Sequence, residues 1–157
     1  MAASMAIPRP ASLDAGSPPG RESAAQGGAR VTNEATRLRG IRGATTVEAN
    51  TREAVLQAAA ELLSALIEAN DIRRDDVASV IFTTTPDVNA EFPAVAARRM
   101  GWTNVALMCG HEMAVPGSLP MCLRILMHVN TAKTPDELQF VYLRGARALR
   151  QDLADDA

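Results

Sequence analysis

The chain has 157 residues with 18 acidic and 16 basic side chains, which gives a formal net charge of −2 and predicts one domain with its own core. It lacks a block of basic residues and has only three Phe, one Trp and one Tyr, which argues against a nucleic-acid-binding surface. No apolar run reaches the length of a membrane span, and two cysteines favour a reduced, cytoplasmic protein over a disulfide-stabilised one.

The first 36 residues differ in composition from the rest of the chain. They are rich in Ala, Ser, Gly and Pro and show no apolar period, so we predict a disordered tail over 1–36. A domain over 37–153 and a disordered C-terminus over 154–157 follow.

The first predicted strand, Leu38–Val47, contains an arginine between two glycines. Gly40 and Gly43 leave space beside Arg42, and a glycine within a strand often marks a close approach of backbone or ligand. An arginine on a rigid element beside open space suits an anion site. By itself, such a short motif is also typical of a surface arginine between turn glycines.

A long amphipathic helix is predicted next. Apolar residues recur at helical spacing between Val55 and Ile67, and Asn50 with Glu53 resembles a capping box. We therefore predict a helix from Asn50 to Asn70 whose apolar stripe packs in the core.

Two strands and a short helix follow this element. Val77–Thr84 is β-branched and apolar, which predicts a buried strand. Pro93 suits the first turn of a helix that runs to Met100. Val105–Met108 is predicted as a third strand that leads into Cys109.

The last third of the chain is predicted to hold a loop, a helix and a strand. The loop 110–117 carries Glu112. Leu119, Leu123, Leu126 and Met127 recur at helical spacing, which predicts a second substantial helix over Ser118–Val129. Leu138–Leu143 is predicted as the last strand, followed by a polar, arginine-rich tail.

This element order predicts the fold class. Strands alternate with helices, which is typical of an α/β or α+β domain with a mixed sheet. Two helices are enough to cover only one face of the sheet. The other face then needs a partner, so we expect an oligomer.

Common catalytic motifs are absent from the sequence: it contains no G-x-S-x-G, H-E-x-x-H, C-x-x-C, P-loop or dinucleotide fingerprint. Cys109 and His111 raise the alternative of a nucleophile–base pair, and with His128 that of a metal site. Neither spacing matches a usual pattern.

The sequence does contain arginines near the ends of predicted elements, together with a loop carboxylate and a strand-end tyrosine: Arg42, Arg98, Arg124, Arg150, Glu112 and Tyr142. Guanidinium groups bind carboxylates bidentately, so this set suits a small dianionic substrate. In the absence of an evident base or nucleophile, we expect catalysis by electrostatic stabilisation and by restriction of substrate conformation.

Six blocks of sequence support a more specific interpretation. In chain order they are Arg39–Val47 (RGIRGATTV), Thr85–Asp87 (TPD) with Phe92–Ala94 (FPA) and Arg98, Cys109–Met113 (CGHEM), Cys122–Arg124 (CLR), Val141–Leu143 (VYL), and Leu149–Arg150. In this order they resemble the AroH class of chorismate mutase, small monofunctional enzymes that convert chorismate to prephenate. The resemblance covers about Leu38 to Leu153, and the opening RGIRGATT is its most specific block.

The resemblance implies a mixed sheet with helices on one side and a homotrimer in which sheets pack around a barrel-like core, a trimeric pseudo-α/β-barrel. Active sites would lie in clefts between subunits. The reaction would be an intramolecular [3,3] rearrangement in phenylalanine and tyrosine biosynthesis, which requires no cofactor.

The resemblance also implies roles for individual residues. Arg42 would bind a substrate carboxylate, and Tyr142 would contact the carboxylate of the enolpyruvyl side chain. Arg124 would donate to the ether oxygen of the breaking C–O bond, where negative charge develops. Glu112 would hydrogen-bond the ring hydroxyl and hold Arg124.

The resemblance implies further site residues around these four. Cys109 would line the pocket near the ring hydroxyl. Leu149 and Arg150 would close the cleft from the C-terminal segment. Three residues would come from the neighbouring subunit: Phe92, Ala94 and Arg98.

The sequence departs from the family pattern at several positions around this site. Val95 stands where the family can carry a lysine, and Met108 replaces a smaller polar residue. The segments 110–111 and 114–116 alter the loop around Glu112. These departures bear on substrate affinity more than on the type of reaction.

Two alternatives are proteins with a similar trimeric architecture. A RidA-type imine hydrolase would need its own arginine and carboxylate signature, and the RGIRGATT block argues against it. A non-catalytic trimer that binds a metabolite would be favoured by loss of Arg124 or Glu112, and both are present.

Overall fold

The computed structural model describes residues 35–153. The predicted tails at 1–36 and 154–157 therefore lie outside the described residues, except for Ala35 and Thr36. Among the described residues, no helix combines the length and apolar character needed to cross a bilayer.

The described chain forms five strands, two α-helices and three 3-10 segments. The strands are β1 (Arg37–Thr46), β2 (Val77–Thr84), β3 (Ala106–His111), β4 (Cys122–Thr131) and β5 (Val141–Tyr142). The helices are α1 (Arg52–Asn70) and α2 (Ala94–Arg99), and the 3-10 segments are Arg74–Asp76, Pro135–Glu137 and Arg144–Leu153.

All five strands belong to one mixed sheet in the order β3-β2-β4-β1-β5. The central strand β4 pairs antiparallel with both β1 and β2. The outer pairs, β2 with β3 and β1 with β5, are parallel. The predicted α+β fold with a mixed sheet is confirmed.

The helix predicted over Ser118–Val129 is wrong, because most of this segment forms β4. Its side chains alternate: Leu123, Ile125, Met127 and Val129 are buried, while the residues between them are at least partly exposed. The spacing that predicted a helix also contains this period of two, which marks a strand with one buried face. The segment forms a strand because β1 and β2 lie on either side of it and pair with it.

Both helices cover the same face of the sheet. The core joins side chains from α1, α2 and the inward positions of β1, β2 and β4. Gly43 of β1 allows Leu62 of α1 and the Val141 backbone to approach β1 closely, because a Cβ at this position would lie 2.9 Å from the Val141 carbonyl oxygen and 3.0 Å from Leu62. The predicted coverage of one face is confirmed.

Strand β2 has its predicted ends, and the other predicted elements are present with shifted ends. The cap of α1 is Thr51, whose hydroxyl accepts from the Ala54 backbone N–H, and not Asn50. β3 extends to His111, beyond its predicted end. The C-terminal segment, predicted only as a polar tail, contains a 3-10 helix.

The last strand is shorter than predicted because its beginning is bound elsewhere. The Asn70 side chain accepts from the Gln139 backbone N–H at 2.7 Å and donates to the Gln139 carbonyl at 2.9 Å. These bonds occupy the N–H and the carbonyl of Gln139, which could otherwise pair with a neighbouring strand. Pairing with β1 is limited to Val141 and Tyr142.

Candidate active site

A cleft of about 640 Å³ lies against the face of the sheet that the helices leave uncovered. Its lining comes from four strands, the residue after β3 and the C-terminal segment: Arg42, Gly43, Ala44, Ile81, Thr83, Glu112, Arg124, Ile125, Leu126, Tyr142 and Leu149. Five of the predicted site residues are in this set.

Strand register brings the charged residues of the cleft together. Arg124 on β4 lies opposite Ala44 on β1 and opposite Thr83 on β2. Arg42, two residues before Ala44, lies opposite Leu126. Because alternate residues of a strand share a face, Arg42 and Arg124 project from the same side of the sheet.

Glu112 fixes the guanidinium of Arg124. Its backbone N–H donates to the Thr84 carbonyl at 2.9 Å, which anchors the residue directly after β3. One carboxylate oxygen accepts from Arg124 Nη1, and the other accepts from the Thr83 hydroxyl. With both oxygens bound, the carboxylate has a defined orientation, and so does the arginine that it holds.

Sequence reasoning missed Thr83 in this role. It was assigned only to the buried strand β2, although its position directly opposite Arg124 puts its hydroxyl on the cleft side. The available signal was the alternation along β2, where Thr83 falls on the opposite face from the buried Phe82.

Arg42 supplies a second positive charge to the cleft. Within residues 35–150 no carboxylate lies at salt-bridge distance from it. Its guanidinium carbon is 5.4 Å from the centroid of the Phe140 ring, a cation–π distance. Together with Arg124 and Glu112, it leaves the described cleft with a net positive charge.

The far side of the cleft is formed by β5 and the C-terminal segment. Tyr142 pairs with Ala44 of β1, which places its side chain beside the arginines. Ala146 is fully buried against Ala44 and Cys122. This contact anchors the segment that brings Leu149 to the cleft.

A second groove, of about 370 Å³, holds other predicted site residues. It includes Phe92, which is 68% exposed, together with Cys109, His111 and Thr84. Cys109 packs against the helix-side core, so within one chain it does not line the first cleft.

The remaining predicted site residues also lie away from the first cleft. Ala94 is buried at the start of α2, while Arg98 of the same helix and Arg150 of the C-terminal segment are exposed. In one chain, five predicted site residues line the cleft, Phe92 and Cys109 line the groove, and the other three line neither.

The groove contains both members of the alternative Cys–His pair, but they do not act on each other. His111 Nδ1 lies 3.1 Å from the Thr84 hydroxyl, and no Cys109–His111 hydrogen bond occurs among the described residues. Burial raises the pKa of the Cys109 thiol, outweighing the opposing effects of the Ala94 backbone N–H and the Arg98 charge. The thiol therefore lacks the activation that a nucleophile needs.

The metal-site alternative also finds no support in the geometry. His128 lies on β4, where its Nδ1 is 2.9 Å from the Ser79 hydroxyl. In the described part of the chain, no three His, Cys, Asp or Glu side chains are grouped to hold a metal ion.

Comparisons with known proteins show which family the chain is similar to. Residues 38–153 match the family model of chorismate mutase type I. The chain is 50% identical over 117 residues to chorismate mutase AroH of Thermus thermophilus, covering 74% of this chain and 96% of that protein. It is 44% identical over 118 residues to chorismate mutase AroH of Bacillus subtilis (strain 168), covering 74% and 93%.

A solved structure is similar over the same region. It is a chorismate mutase from Clostridium thermocellum, 50% identical in sequence, with a TM-score of 0.69. The match covers 70% of this chain and 98% of that one.

Proposed function

The chain belongs to the chorismate mutase type I family, and we propose that its interstrand cleft binds chorismate and rearranges it to prephenate. It is an isomerase of aromatic amino acid biosynthesis. The observation that carries the proposal is the guanidinium of Arg124, held by Glu112 in a cleft that Arg42 makes positive. The family match favours this activity over the imine hydrolase and the metabolite-binding trimer.

The reaction explains why a fixed cation is the main requirement. The rearrangement is intramolecular, so it needs no nucleophile and no proton transfer. Breaking of the C–O bond runs ahead of C–C bond formation, so negative charge develops on the ether oxygen. A preorganised donor aimed at that oxygen stabilises the transition state more than the ground state.

Arg124 is the residue proposed to carry out this stabilisation. Glu112 binds its Nη1 only, which leaves Nε and Nη2 without a hydrogen-bond partner among the described residues. These nitrogens are available to donate to the ether oxygen. Because Glu112 is itself held by Thr83, little reorganisation is needed when charge develops.

The remaining cleft residues are proposed to position the dianionic substrate. Arg42 binds one carboxylate, and Tyr142 contacts the carboxylate of the enolpyruvyl side chain. Glu112 also accepts from the ring hydroxyl. Holding both ends of the substrate favours the compact conformer in which the bond-forming carbons approach each other.

We propose a homotrimer in which the second groove of one subunit completes the first cleft of its neighbour. Exposed apolar side chains support it: Leu38 is 58%, Met108 is 60% and Leu126 is 40% exposed. Such residues on an uncovered sheet face favour association. The proposal would bring to the substrate four predicted site residues that lie outside the cleft of a single chain: Phe92, Ala94, Arg98 and Cys109. Leu149 and Arg150 would close the cleft.

A cytoplasmic location is part of the same proposal. Both cysteines, the half-buried Cys109 and the buried Cys122, are free thiols. Free thiols are typical of proteins from reducing compartments.

The test follows the loss of chorismate absorbance, with prephenate identified by acid conversion to phenylpyruvate. Saturable turnover is expected from the unaltered protein. Arg124→Ala should lower kcat by at least about 10²–10³-fold, the effect of removing one preorganised donor. The control is Arg73→Ala, an exposed arginine remote from the cleft, which should keep full turnover. Near-normal kcat in a folded Arg124→Ala variant would overturn the mechanism.

A further inference from the structure

The backbone just before Arg124 adopts an unfavourable conformation. Met121 has φ +51°, in the left-handed region that side-chain-bearing residues rarely occupy. It immediately precedes β4 and is three residues before Arg124. Such a conformation persists only when surrounding interactions hold it.

Those interactions come from the TPD segment after β2. The Met121 backbone N–H donates to Asp87 Oδ2 at 2.7 Å. Cys122 is held on both sides by Thr85, because its N–H donates to the Thr85 hydroxyl at 2.9 Å and its carbonyl accepts the Thr85 N–H at 2.9 Å. Val47 completes the set by donating its N–H to the Met121 carbonyl at 2.7 Å.

Of these bonds, only the one that Asp87 accepts involves an ionised side chain. Hydrogen bonds from Thr85 and from the Met121 N–H lower the pKa of Asp87, so it remains a carboxylate at neutral pH. Charge-assisted hydrogen bonds are stronger than neutral ones. Removing the carboxylate would leave the Met121 N–H without its acceptor and the left-handed conformation without its main support.

The start of β4 and Arg124 are mechanically linked. Cys122 is the first residue of β4, paired with Thr46 of β1, and Arg124 lies two residues further along on the same face of the sheet. The conformation of Met121 sets the position and direction in which the chain enters this pairing, so a change at Met121 shifts Cys122 and the residues that follow it in the strand. A displacement of about 1 Å in a catalytic group can lower the rate about 10²-fold.

We propose that Asp87 is a positioning residue for Arg124: its carboxylate holds Met121 in the left-handed conformation that sets the entry of β4. Asp87 does not line the cleft, so it acts through the backbone and not by contact with substrate. The inference rests on the proposed function of Arg124.

The first test uses glycine to separate positioning from general stability. Asp87→Ala should lower kcat by about 10–100-fold while KM changes less than about twofold, because the ether-oxygen contact strengthens in the transition state. Glycine adopts left-handed φ without strain. Met121→Gly alone should therefore be nearly as active as the unaltered protein, and Asp87→Ala with Met121→Gly should recover most of the lost kcat.

If Asp87→Ala does not fold, the more conservative Asp87→Asn variant tests the same inference. Asp87→Asn keeps a side-chain oxygen that accepts from Met121 but removes the charge, so its kcat should fall less than tenfold and should also be raised by Met121→Gly. Unchanged kcat in a folded Asp87→Ala variant would overturn the inference. So would a loss of kcat that glycine at 121 does not restore.

The second test asks whether the effect passes through Arg124. In the Arg124→Ala background, Asp87→Ala should change the residual rate less than twofold, since residues that act as a unit are not additive. Equal effects of Asp87→Ala in both backgrounds would overturn the inference while leaving the proposed function intact. Full turnover by Arg124→Ala would instead reject the proposed role of Arg124, and no turnover by the folded, unaltered protein would reject the proposed function itself.

Discussion

The carboxylate of Glu112, just beyond strand β3, binds the guanidinium of Arg124 in the central strand β4. The two side chains are 24% and 31% exposed, so the pair is shielded from solvent but still reachable by a ligand in the cleft. Thr83 of β2, the strand between them, donates to the same carboxylate. The pair is thus fixed before substrate arrives.

Glu112 is expected to contribute to catalysis mainly through its hold on Arg124. Glu112→Ala should lower kcat about 10²-fold because the guanidinium loses its orientation. Glu112→Gln, which keeps an oxygen acceptor, should lose less. Both are measured as chorismate turnover. Equal losses in the two variants would show that the charge, and not the orientation, is what matters.

Thr83 gives a milder test of the same arrangement. Thr83→Val removes the hydroxyl that orients the carboxylate and keeps the shape of the side chain. We expect kcat to fall roughly 2–10-fold, which corresponds to one net hydrogen bond of about 0.5–1.5 kcal/mol. The matched control is Thr103→Val, an exposed threonine outside the cleft, for which kcat should not change.

Arg144 is expected to control substrate affinity through the C-terminal segment. It has φ +49° and bridges Glu61 at 2.5 Å and Glu48 at 3.5 Å, at the start of the segment that brings Leu149 to the cleft. Arg144→Ala should raise KM more than it lowers kcat, because the segment is no longer held in place. The stability change should be at most about 1 kcal/mol, since these ion pairs are partly exposed.

Ionic strength provides the control for this prediction. Salt screens exposed charge pairs, but it also weakens binding of an anionic substrate directly. KM should therefore rise with salt in the unaltered protein and rise less steeply in Arg144→Ala. Parallel salt dependence in both proteins would mean that the Arg144 ion pairs do not contribute to affinity.

Gly43 is predicted to be essential for packing the sheet against α1. In Gly43→Ala the new Cβ would lie 2.9 Å from the Val141 carbonyl oxygen and 3.0 Å from Leu62. Overpacking of this kind costs about 1–3 kcal/mol, so Tm should fall by several degrees. The matched control is Gly110→Ala on β3, where nothing lies within 4 Å of the added Cβ, and Tm should be almost unchanged.

Cys109 is predicted to be a poor nucleophile at neutral pH. Because burial raises its thiol pKa above the ordinary value, the thiolate fraction should be smaller than that of a free cysteine at every pH below that pKa. Alkylation by iodoacetamide should be slower than for a small thiol at pH 7 and accelerate as pH rises. Rapid alkylation at pH 7 would revive the Cys–His alternative.

The fold was partly predictable from local patterns. Strand Val77–Thr84 was predicted with its observed ends, because a short β-branched run has one plausible structure. Helix α1 was predicted except for its cap, which is Thr51 and not Asn50. Asn50 instead accepts from the backbone N–H groups of Asn89 and Ala90, a contact between residues about forty positions apart that no local rule reveals.

The central strand shows the limit of local patterns. The segment that forms β4 fits both a helical and an extended period, and the helix that its spacing predicts is wrong. What decides is the presence of β1 and β2 on either side, because β1 pairs with it over its whole length and β2 over most of it. Pairing of this kind depends on residues roughly 40–90 positions away in the chain, so its free energy is not visible in a short window.

The sequence by itself determined the family, through the order of its motifs, and it supplied Arg42, Glu112 and Arg124, the charged groups proposed to act in the reaction. Only the tertiary structure decided how these groups meet. Glu112 reaches Arg124 because β3, β2 and β4 are neighbours in one sheet. For the same reason, the carboxylate of Asp87, which follows β2, accepts the N–H of Met121, which precedes β4. Side-chain identity is local, whereas the distance between two side chains is set by hydrogen-bonded register across the whole fold.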